Sequence, residues 1–428
     1  MARTEPPTPM EALKVAIATL ASIVASPLIA ILLVFPDLQK LLYGHWFRPF
    51  WYDVRDPCER GKWRAGSART VKITTADSVH ISGWHILPLD VPPLTLDAEF
   101  DASLDFSADT NRQTRKLWIY FHGNVGDRGL PYRLSTVELI KRVDPRAHIL
   151  VAEYRGFGDS QRVTPTEQGL KEDAIAAWKW AISRGVPPSR IVLFGHSLGT
   201  GPASFLYRHL SNPENANSTD CTPHSLLLFC PYSSLPSAAS TYATFPLLVP
   251  FTILLGRQKT IDIAKAWMTE QWDNVAEMRR LRNMLTSSTE RVVIKEPTQA
   301  TALKGNRLSS PRAFQPTKPR IFIVHGLRDA EIPMQNSFEI FNAIAGREDV
   351  GLADPIFDMA AFSNLKETIP TQLSSRDGSL FRVSLPGRAK DIHGSAFLFI
   401  SSIGTHNNLP TVETVAVLLQ KWASETLG

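Results

Sequence analysis

The sequence predicts an α/β fold: a mostly parallel central sheet with helices on both faces. Three observations carry that prediction. Short apolar runs recur at Leu117–Phe121, His148–Ala152, Ile191–Phe194, Leu226–Phe229 and Ile321–Val324, and continuous runs of this length are the mark of strands buried on both faces. Stretches with apolar residues at helical spacing separate them, which is the pattern of a parallel sheet. After the third run stands Gly195-His196-Ser197-Leu198-Gly199, a G-x-S-x-G with a strand before it and a helix-forming stretch after it.

Composition narrows the function. Of 428 residues, 43% are hydrophobic and 20% charged, a globular balance rather than a disordered or fibrous one. That length allows two or three domains, although α/β folds reach ~250 residues as one unit. The net charge of +5 comes from 46 Lys+Arg against 41 Asp+Glu and is scattered, the densest basic group being Arg279-Arg280-Leu281-Arg282. No basic stripe interleaves with aromatics, so no nucleic-acid partner is expected. Cys58, Cys221 and Cys230 are too few for a disulfide scaffold or a four-cysteine zinc site, and three free thiols are expected.

Taken in order, residues 1–14 form an N-terminal tail, and Val15 to Pro36 contain no charge between Lys14 and Asp37. Twenty-two residues at ~1.5 Å each span the ~30 Å hydrocarbon core. A single transmembrane anchor is expected there, kinked at Pro27, with Trp46, Trp51 and Tyr52 as interfacial anchors. A cleaved signal peptide and a buried helix are the alternatives; the run is long for the former and lacks an A-x-A site. The expected location is a single-pass membrane protein of the endoplasmic reticulum or another endomembrane. Arg3 and Lys14 before the span balance Lys40 and Arg48 after it, so charge does not orient it. Asn217-Ser218-Thr219 is a glycosylation sequon, usable only if its loop is lumenal.

Residues 71–87 alternate as β structure around a turn at Asp77-Ser78, and 89–116 read as a polar, Pro/Asp-rich surface loop. Thr164-Pro165-Thr166-Glu167 has the form of a capping box with Thr164 as N-cap. The helix that follows carries Leu170, Ala174, Ala177 and Trp178. Further helices are expected from about Leu198 to Leu210, from about Gln335 to Ala345, and from near Thr411 through Val415, Leu418, Leu419 and Trp422. No repeat is present. Two stretches interrupt the alternation. One, 235–318, reads as a cap or insertion with a strongly apolar part at Thr241–Leu255 and a flexible Ser/Thr/Pro/Lys-rich part at 284–318; the other, 346–390, is a polar insertion. The catalytic domain is expected over 70–428.

The G-x-S-x-G makes Ser197 the candidate nucleophile, on a strained turn whose glycines leave backbone room that a Cβ would fill. A serine hydroxyl needs a base, and the base a carboxylate to orient it. In this architecture both follow the serine, acid first. Asp329 lies just past the Ile321–Val324 strand and is the candidate acid, with Glu331 as alternative; His325 reads as structural. The apolar run Ser395–Ile403 ends in Gly404-Thr405-His406, which makes His406 the candidate base, on the loop before the last helix. His393 precedes that strand, at the opposite edge, and is the competitor. Two N–H donors must meet the oxyanion: the backbone amides of Leu198 and of Asn124, in the turn Phe121-His122-Gly123-Asn124-Val125-Gly126. No G-x-x-x-x-G-K-[ST] follows that turn, which discounts nucleotide binding.

These motifs resemble those of the α/β-hydrolase superfamily, and more narrowly the membrane-anchored serine hydrolases that include monoacylglycerol and lysophosphatidylserine lipases and protein depalmitoylases. The resemblance rests on Tyr120-Phe121-His122-Gly123-Asn124, Glu153-Tyr154-Arg155-Gly156-Phe157-Gly158-Asp159-Ser160, Gly195–Gly199, the stretch from His325 through Asp329 to Pro333, and Gly404-Thr405-His406-Asn407, and covers about residues 70–426. It implies the roles given above for Ser197, Asp329, His406, Asn124 and Leu198, and a structural role for the Tyr154–Ser160 turn. It also implies ester hydrolysis through an acyl-serine, with no metal or cofactor and a lipid or acylated substrate. An acyl-protein thioesterase with the same triad, a secreted esterase and a non-catalytic membrane scaffold are the rival expectations. The long inserts depart from the family pattern.

Overall fold

The computed structural model describes residues 40–104, 115–212, 222–241, 252–253, 255–290, 318–347, 366–367, 377–386 and 393–424. The expected anchor at 15–36, the sequon at 217–219 and most of the apolar stretch 241–255 lie outside them. Among the described residues no helix is long and apolar enough to cross a membrane.

The strands are β1 (Ala68–Thr74), β2 (His80–Ile86), β3 (Leu117–Phe121), β4 (His148–Ala152), β5 (Ile191–His196), β6 (Ser225–Phe229), β7 (Arg320–Gly326), β8 (Lys366–Glu367), β9 (Gly378–Pro386) and β10 (His393–Ser401). They form one sheet in the order β1-β2-β4-β3-β5-β6-β7-β10-β9-β8. From β4 to β10 neighbours run parallel; β1 and β2 join one side antiparallel, and β9 and β8 the other. The chain enters the parallel part at β3, builds β4 on one side and crosses to β5 on the other. This reversal opens a crevice at the C-terminal ends of β3 and β5, where ligands of open α/β sheets bind.

The apolar runs hide a strict alternation. Leu117, Ile119, Phe121, Leu193, Leu226, Leu228, Ile321, Ile323, Leu398 and Ile400 enter one core. Trp118, Tyr120, Val192, Phe194, Leu227, Phe229, Phe322, Val324, Phe397 and Phe399 enter the other. Both faces are covered, so neither shows polar residues. The helices are α1 (Pro57–Gly61), α2 (Asp97–Ser103), α3 (Pro131–Val143), α4 (Glu167–Ser183), α5 (Thr200–Ser211), α6 (Leu235–Thr241), α7 (Arg257–Trp267), α8 (Asn274–Glu290), α9 (Gln335–Ala345) and α10 (Glu413–Ala423). Residues of α4, α5, α8 and α9 pack into the first core, and residues of α3 and α10 into the second.

Four local expectations need correction. The loop 89–116 contains α2, seated by Phe100, which is buried with its ring against His85. The N-cap of α4 is Thr166 rather than Thr164, its hydroxyl accepting from Gly169 N at 3.0 Å. The stretch expected to be flexible from 284 is helical to Glu290, and its remainder to 317 lies outside the described residues. The insertion 346–390 supplies β9, which pairs with β10 from His393↔Pro386 to Ser401↔Gly378. Leu380, Phe381 and Leu385 bury that strand, while the serines and Arg382 between them give it a polar composition.

Candidate active site

The elbow follows directly from β5. Ser197 has φ +52°, a left-handed conformation costing an L-residue about 1–2 kcal/mol, and it throws the side chain out of the strand direction. A Cβ on Gly195 would lie 2.4 Å from Gly199 O, and one on Gly199 would lie 2.0 Å from Phe121 O. Backbone packing therefore requires both glycines, Gly195 within the elbow itself and Gly199 against the end of β3. A single 3₁₀ turn, Ser197–Gly199, leads into α5, and Thr200 Oγ1 donates to Ser197 O at 2.7 Å.

The candidate acid and base stand on the two turns that leave β7 and β10. A Cβ on Gly326 would meet Gly404 O at 2.3 Å, so the turns touch backbone to backbone. Leu327 N donates to Ser401 O at 2.8 Å and Arg328 N to Gly404 O at 2.9 Å. This zipper sets Asp329 beside His406. His406 Nδ1 is 2.9 Å from Asp329 Oδ2, and His406 Nε2 is 2.9 Å from Ser197 Oγ. The other carboxylate oxygen of Asp329 accepts from the amides of Glu331 and Ile332, both at 2.9 Å. A carboxylate so held cannot turn, and it fixes the imidazole tautomer with its proton on Nδ1 and a lone pair on Nε2 toward the serine. His393 begins β10, and His406 follows its end. The eight steps from His393 to Ser401 span ~26 Å along a strand at ~3.3 Å per residue, so His393 lies at the opposite edge of the sheet from the turn that carries His406.

The loop after β3 lies against the nucleophile. A Cβ on Gly123 would sit 3.3 Å from Ser197 Cβ, so glycine lets this loop close on the serine without crowding it. Asn124 follows it on the same turn, its side chain donating to Leu42 O at 2.6 Å. Val125 and Gly126, with φ +59° and +73°, turn the chain back toward α3.

No protein-family model matches the chain. Among curated relatives, the zebrafish (Danio rerio) protein named lysophosphatidylserine lipase ABHD12 is 27% identical over 217 residues, 50% of this chain and 52% of that protein. The human protein ABHD12B is 28% identical over 228 residues, 53% of this chain and 57% of that one. The chain thus spans about half the length of the curated relatives it matches. The Pyrococcus furiosus esterase Pf2001 superposes with a TM-score of 0.46 at 14% identity, covering 89% of this chain and 97% of that one. The fold of the chain is that of the α/β-hydrolases.

The electrostatics of this candidate site follow from its hydrogen bonds. Burial pushes the Asp329 carboxyl up, but the hydrogen bonds from His325 and His406 outweigh it and hold the group well below the carboxylate range. Burial pushes His406 down, and the hydrogen bond and charge of Asp329, with Glu331 adding to them, raise it above its ordinary 6.5. Glu331, the alternative acid, stands 3.6 Å from His406 Nε2, on the serine side of the ring.

Four residues around the triad carried no sequence signal for a role there. His196 Nε2 donates to His406 O at 2.9 Å, tying the base loop to the elbow; burial first, then His406, holds its pKa down to about 3, so it is neutral. Cys230 is buried against the same carbonyl, its thiol pushed up by burial and by Asp329. His325, expected to be structural, is within 3.3 Å of Asp329 Oδ2. Arg133 is buried beneath the Gly123 turn. Two sets of three donors, His196/Cys230/His406 and Cys230/His325/Asp329, come within 4.8 Å. Both share residues with the hydrogen-bonded triad.

Proposed function

We propose that this chain is a membrane-held serine hydrolase that cleaves carboxylic esters of lipids, of the monoacylglycerol or lysophospholipid type, through an acyl-Ser197 intermediate. One observation carries the reading: Ser197 Oγ sits at a positive-φ elbow, 2.9 Å from Nε2 of a histidine whose other nitrogen meets a buried carboxylate. In this mechanism Ser197 Oγ attacks the ester carbon while His406 Nε2 takes its proton. The carbonyl oxygen becomes an oxyanion held by the amides of Asn124 and Leu198. The tetrahedral species collapses, the C–O bond breaks, and the alcohol leaves with the proton from His406. Water then repeats the sequence on the acyl-serine, giving the acid and free Ser197. Asp329 stays ionised throughout and stabilises the imidazolium.

Lipid esters are favoured by the names of the relatives and by the approach to the site. Ser197 is partly exposed. Beyond Leu42, which touches the Asn124 loop, the chain exposes Trp46, Phe50 and Trp51 at 66%, 92% and 59%. Aromatics of this kind seat at membrane–water interfaces, and the uncharged stretch 15–36 precedes them.

The test is a fluorophosphonate probe on detergent-solubilised full chain. Wild type is expected to label, Ser197→Ala to give none, and His406→Ala to label far more slowly. The same preparations are then assayed on vesicles containing a monoacylglycerol, a lysophospholipid or an S-acylated peptide. Turnover of the first two above the third supports the lipid reading, and preference for the thioester replaces it. A well-folded wild type without labelling overturns the enzyme reading in favour of a scaffold.

A further inference from the structure

We propose that Arg133, a positioning residue outside the triad, imposes the working conformation of the oxyanion loop, with the backbone of Leu42 and Tyr43 closing that loop from the other side. The proposal rests on the serine-hydrolase reading. Arg133 is in the first turn of α3, and its side chain is wholly buried. Its guanidinium donates to Gly123 O at 2.8 Å, to Asn124 O at 2.7 Å, and to the carbonyls of Val125 and Asp127. Four carbonyls of one five-residue turn thus converge on a single cation. Among the described residues no carboxylate hydrogen-bonds it, and both terminal nitrogens donate to backbone.

The consequence follows from peptide geometry. In a planar trans peptide the C=O of one residue and the N–H of the next point in opposite directions. Gly123 O and Asn124 N belong to one peptide unit. Pulling Gly123 O toward Arg133, where His122 Nδ1 also lies 2.8 Å from it, aims the Asn124 N–H the opposite way, and Gly123 itself lies against Ser197. Arg133 therefore sets the direction of the donor that the mechanism assigns to the oxyanion. It also places a fixed positive charge one peptide behind that donor, where an anion forms.

The outer side of the loop is held by backbone. Asn124 Nδ2 donates to Leu42 O at 2.6 Å and Val125 N to Tyr43 O at 3.4 Å. Gly44 follows with φ +57°, and a Cβ there would lie 2.6 Å from Val125 Cγ2. Tyr43 in turn is fixed by its hydroxyl, which donates to Glu270 and accepts from Trp272 Nε1 at 2.9 Å.

The experiment compares full-chain wild type, Arg133→Lys and Gly44→Ala in detergent, on an oxygen ester and on the matching thionoester. N–H donors set for a small oxyanion favour O⁻ over the larger S⁻, so wild type is expected to discriminate between the two substrates. In Arg133→Lys the charge remains but one ammonium cannot hold four carbonyls. Its kcat on the oxygen ester is expected to fall ~10²–10³-fold, the cost of losing one oxyanion donor. KM should hardly change, and the oxygen-to-sulfur preference should collapse. Gly44→Ala is expected to show the same signature more weakly, and it reports on the clamp if Arg133→Lys does not fold. Equal losses on both substrates, or wild-type rates in folded variants, would overturn the clamp while leaving Ser197 as nucleophile. An unlabelled, inactive wild type would overturn the serine-hydrolase reading and the clamp with it.

Discussion

Asp329 serves two histidines, and each histidine faces a serine. His406 meets Asp329 Oδ2 at 2.9 Å and Ser197 Oγ at 2.9 Å. His325 meets the same oxygen at 3.3 Å and Ser337 Oγ at 2.6 Å. On a distance list both sets look like a catalytic triad. They differ in what surrounds the serine. Ser197 stands on a left-handed elbow, partly exposed, with the Gly123 turn against it. Ser337 lies inside α9 and is fully buried, as is His325, so no substrate carbonyl can approach it. The His325 Nε2 proton is also shared, lying closer to Ile332 O, at 2.8 Å, than to the carboxylate, at 3.3 Å. A histidine between a serine and a carboxylate is thus not a sufficient description of a nucleophile. Access and the elbow set the Ser197 pair apart as the candidate site, while the other pair fastens the Asp329 turn to α9.

The widest gap between the two pairs should appear on deleting each serine. Ser197→Ala is expected to lower kcat by about 10⁴-fold or more, the scale on which triad nucleophiles act. Ser337→Ala should leave kcat within a few-fold and cost about 1–3 kcal/mol of stability, because a buried ring nitrogen loses its partner. Ester turnover and thermal unfolding on both variants decide this. Comparable losses of kcat would mean that the buried pair takes part in the chemistry. Asp329→Asn strikes both pairs at once. It should lower kcat by about 10⁴-fold, since an amide no longer fixes the Nδ1–H tautomer of His406. It should also destabilise the acid turn. His325→Leu comes next. It leaves Ser337 Oγ and Ile332 O without their partner, so the melting temperature should drop by the equivalent of roughly 1–3 kcal/mol, while kcat of the folded fraction falls less than tenfold. A loss as large as that of His406→Ala would make His325 part of the reaction.

How much of this was legible in the sequence depended on whether local pattern or tertiary contact decides. The parallel strands and the elbow were readable because burial on both faces and glycine packing act on adjacent residues: Gly195 is required by the turn that follows it and Gly199 by the strand beside it. Ser197, Asp329 and His406 were readable because each sits just past a strand end. The N-cap of α4 was misplaced because Glu167, which would close a box with Thr164, instead accepts from Gln271 N and Trp272 N at 2.7 and 2.8 Å. That tertiary use pins the first insertion and outweighs the local pattern. The short helix α2 was hidden because its apolar anchor, Phe100, stands among Asp, Ser and Ala. The strand β9 was hidden inside a polar insertion and exists through its pairing with β10. Arg133 and Ser337 gave no signal, since an arginine and a serine on helices are ordinary until the fold shows what they touch.

The smallest expected effect concerns the charge that only one of the two histidines feels at its serine-facing nitrogen. Glu331 stands 3.6 Å from His406 Nε2. If neutral His406 is the base, as proposed, activity should rise with pH along a limb set by its pKa, which lies above 6.5 because Asp329, with Glu331 adding to it, outweighs burial. Glu331→Gln removes one of those negative charges and should move this limb to lower pH, leaving the variant ahead of wild type on the acidic side once each is scaled to its own plateau. The sign for stability runs with it. A histidine whose folded pKa is raised contributes stability that is full below about 6.5, its unfolded value, and is lost as pH rises through the folded value. Glu331→Gln should therefore cost stability at acid pH and little at alkaline pH. The depressed carboxyl of Asp329 works the opposite way: its contribution holds above the ordinary carboxylate range and is lost only on stronger acidification. A pH–rate profile of kcat/KM and melting curves at pH 5 and 9 test both signs. A limb that stays put or moves upward would show that Glu331 does not act on the base.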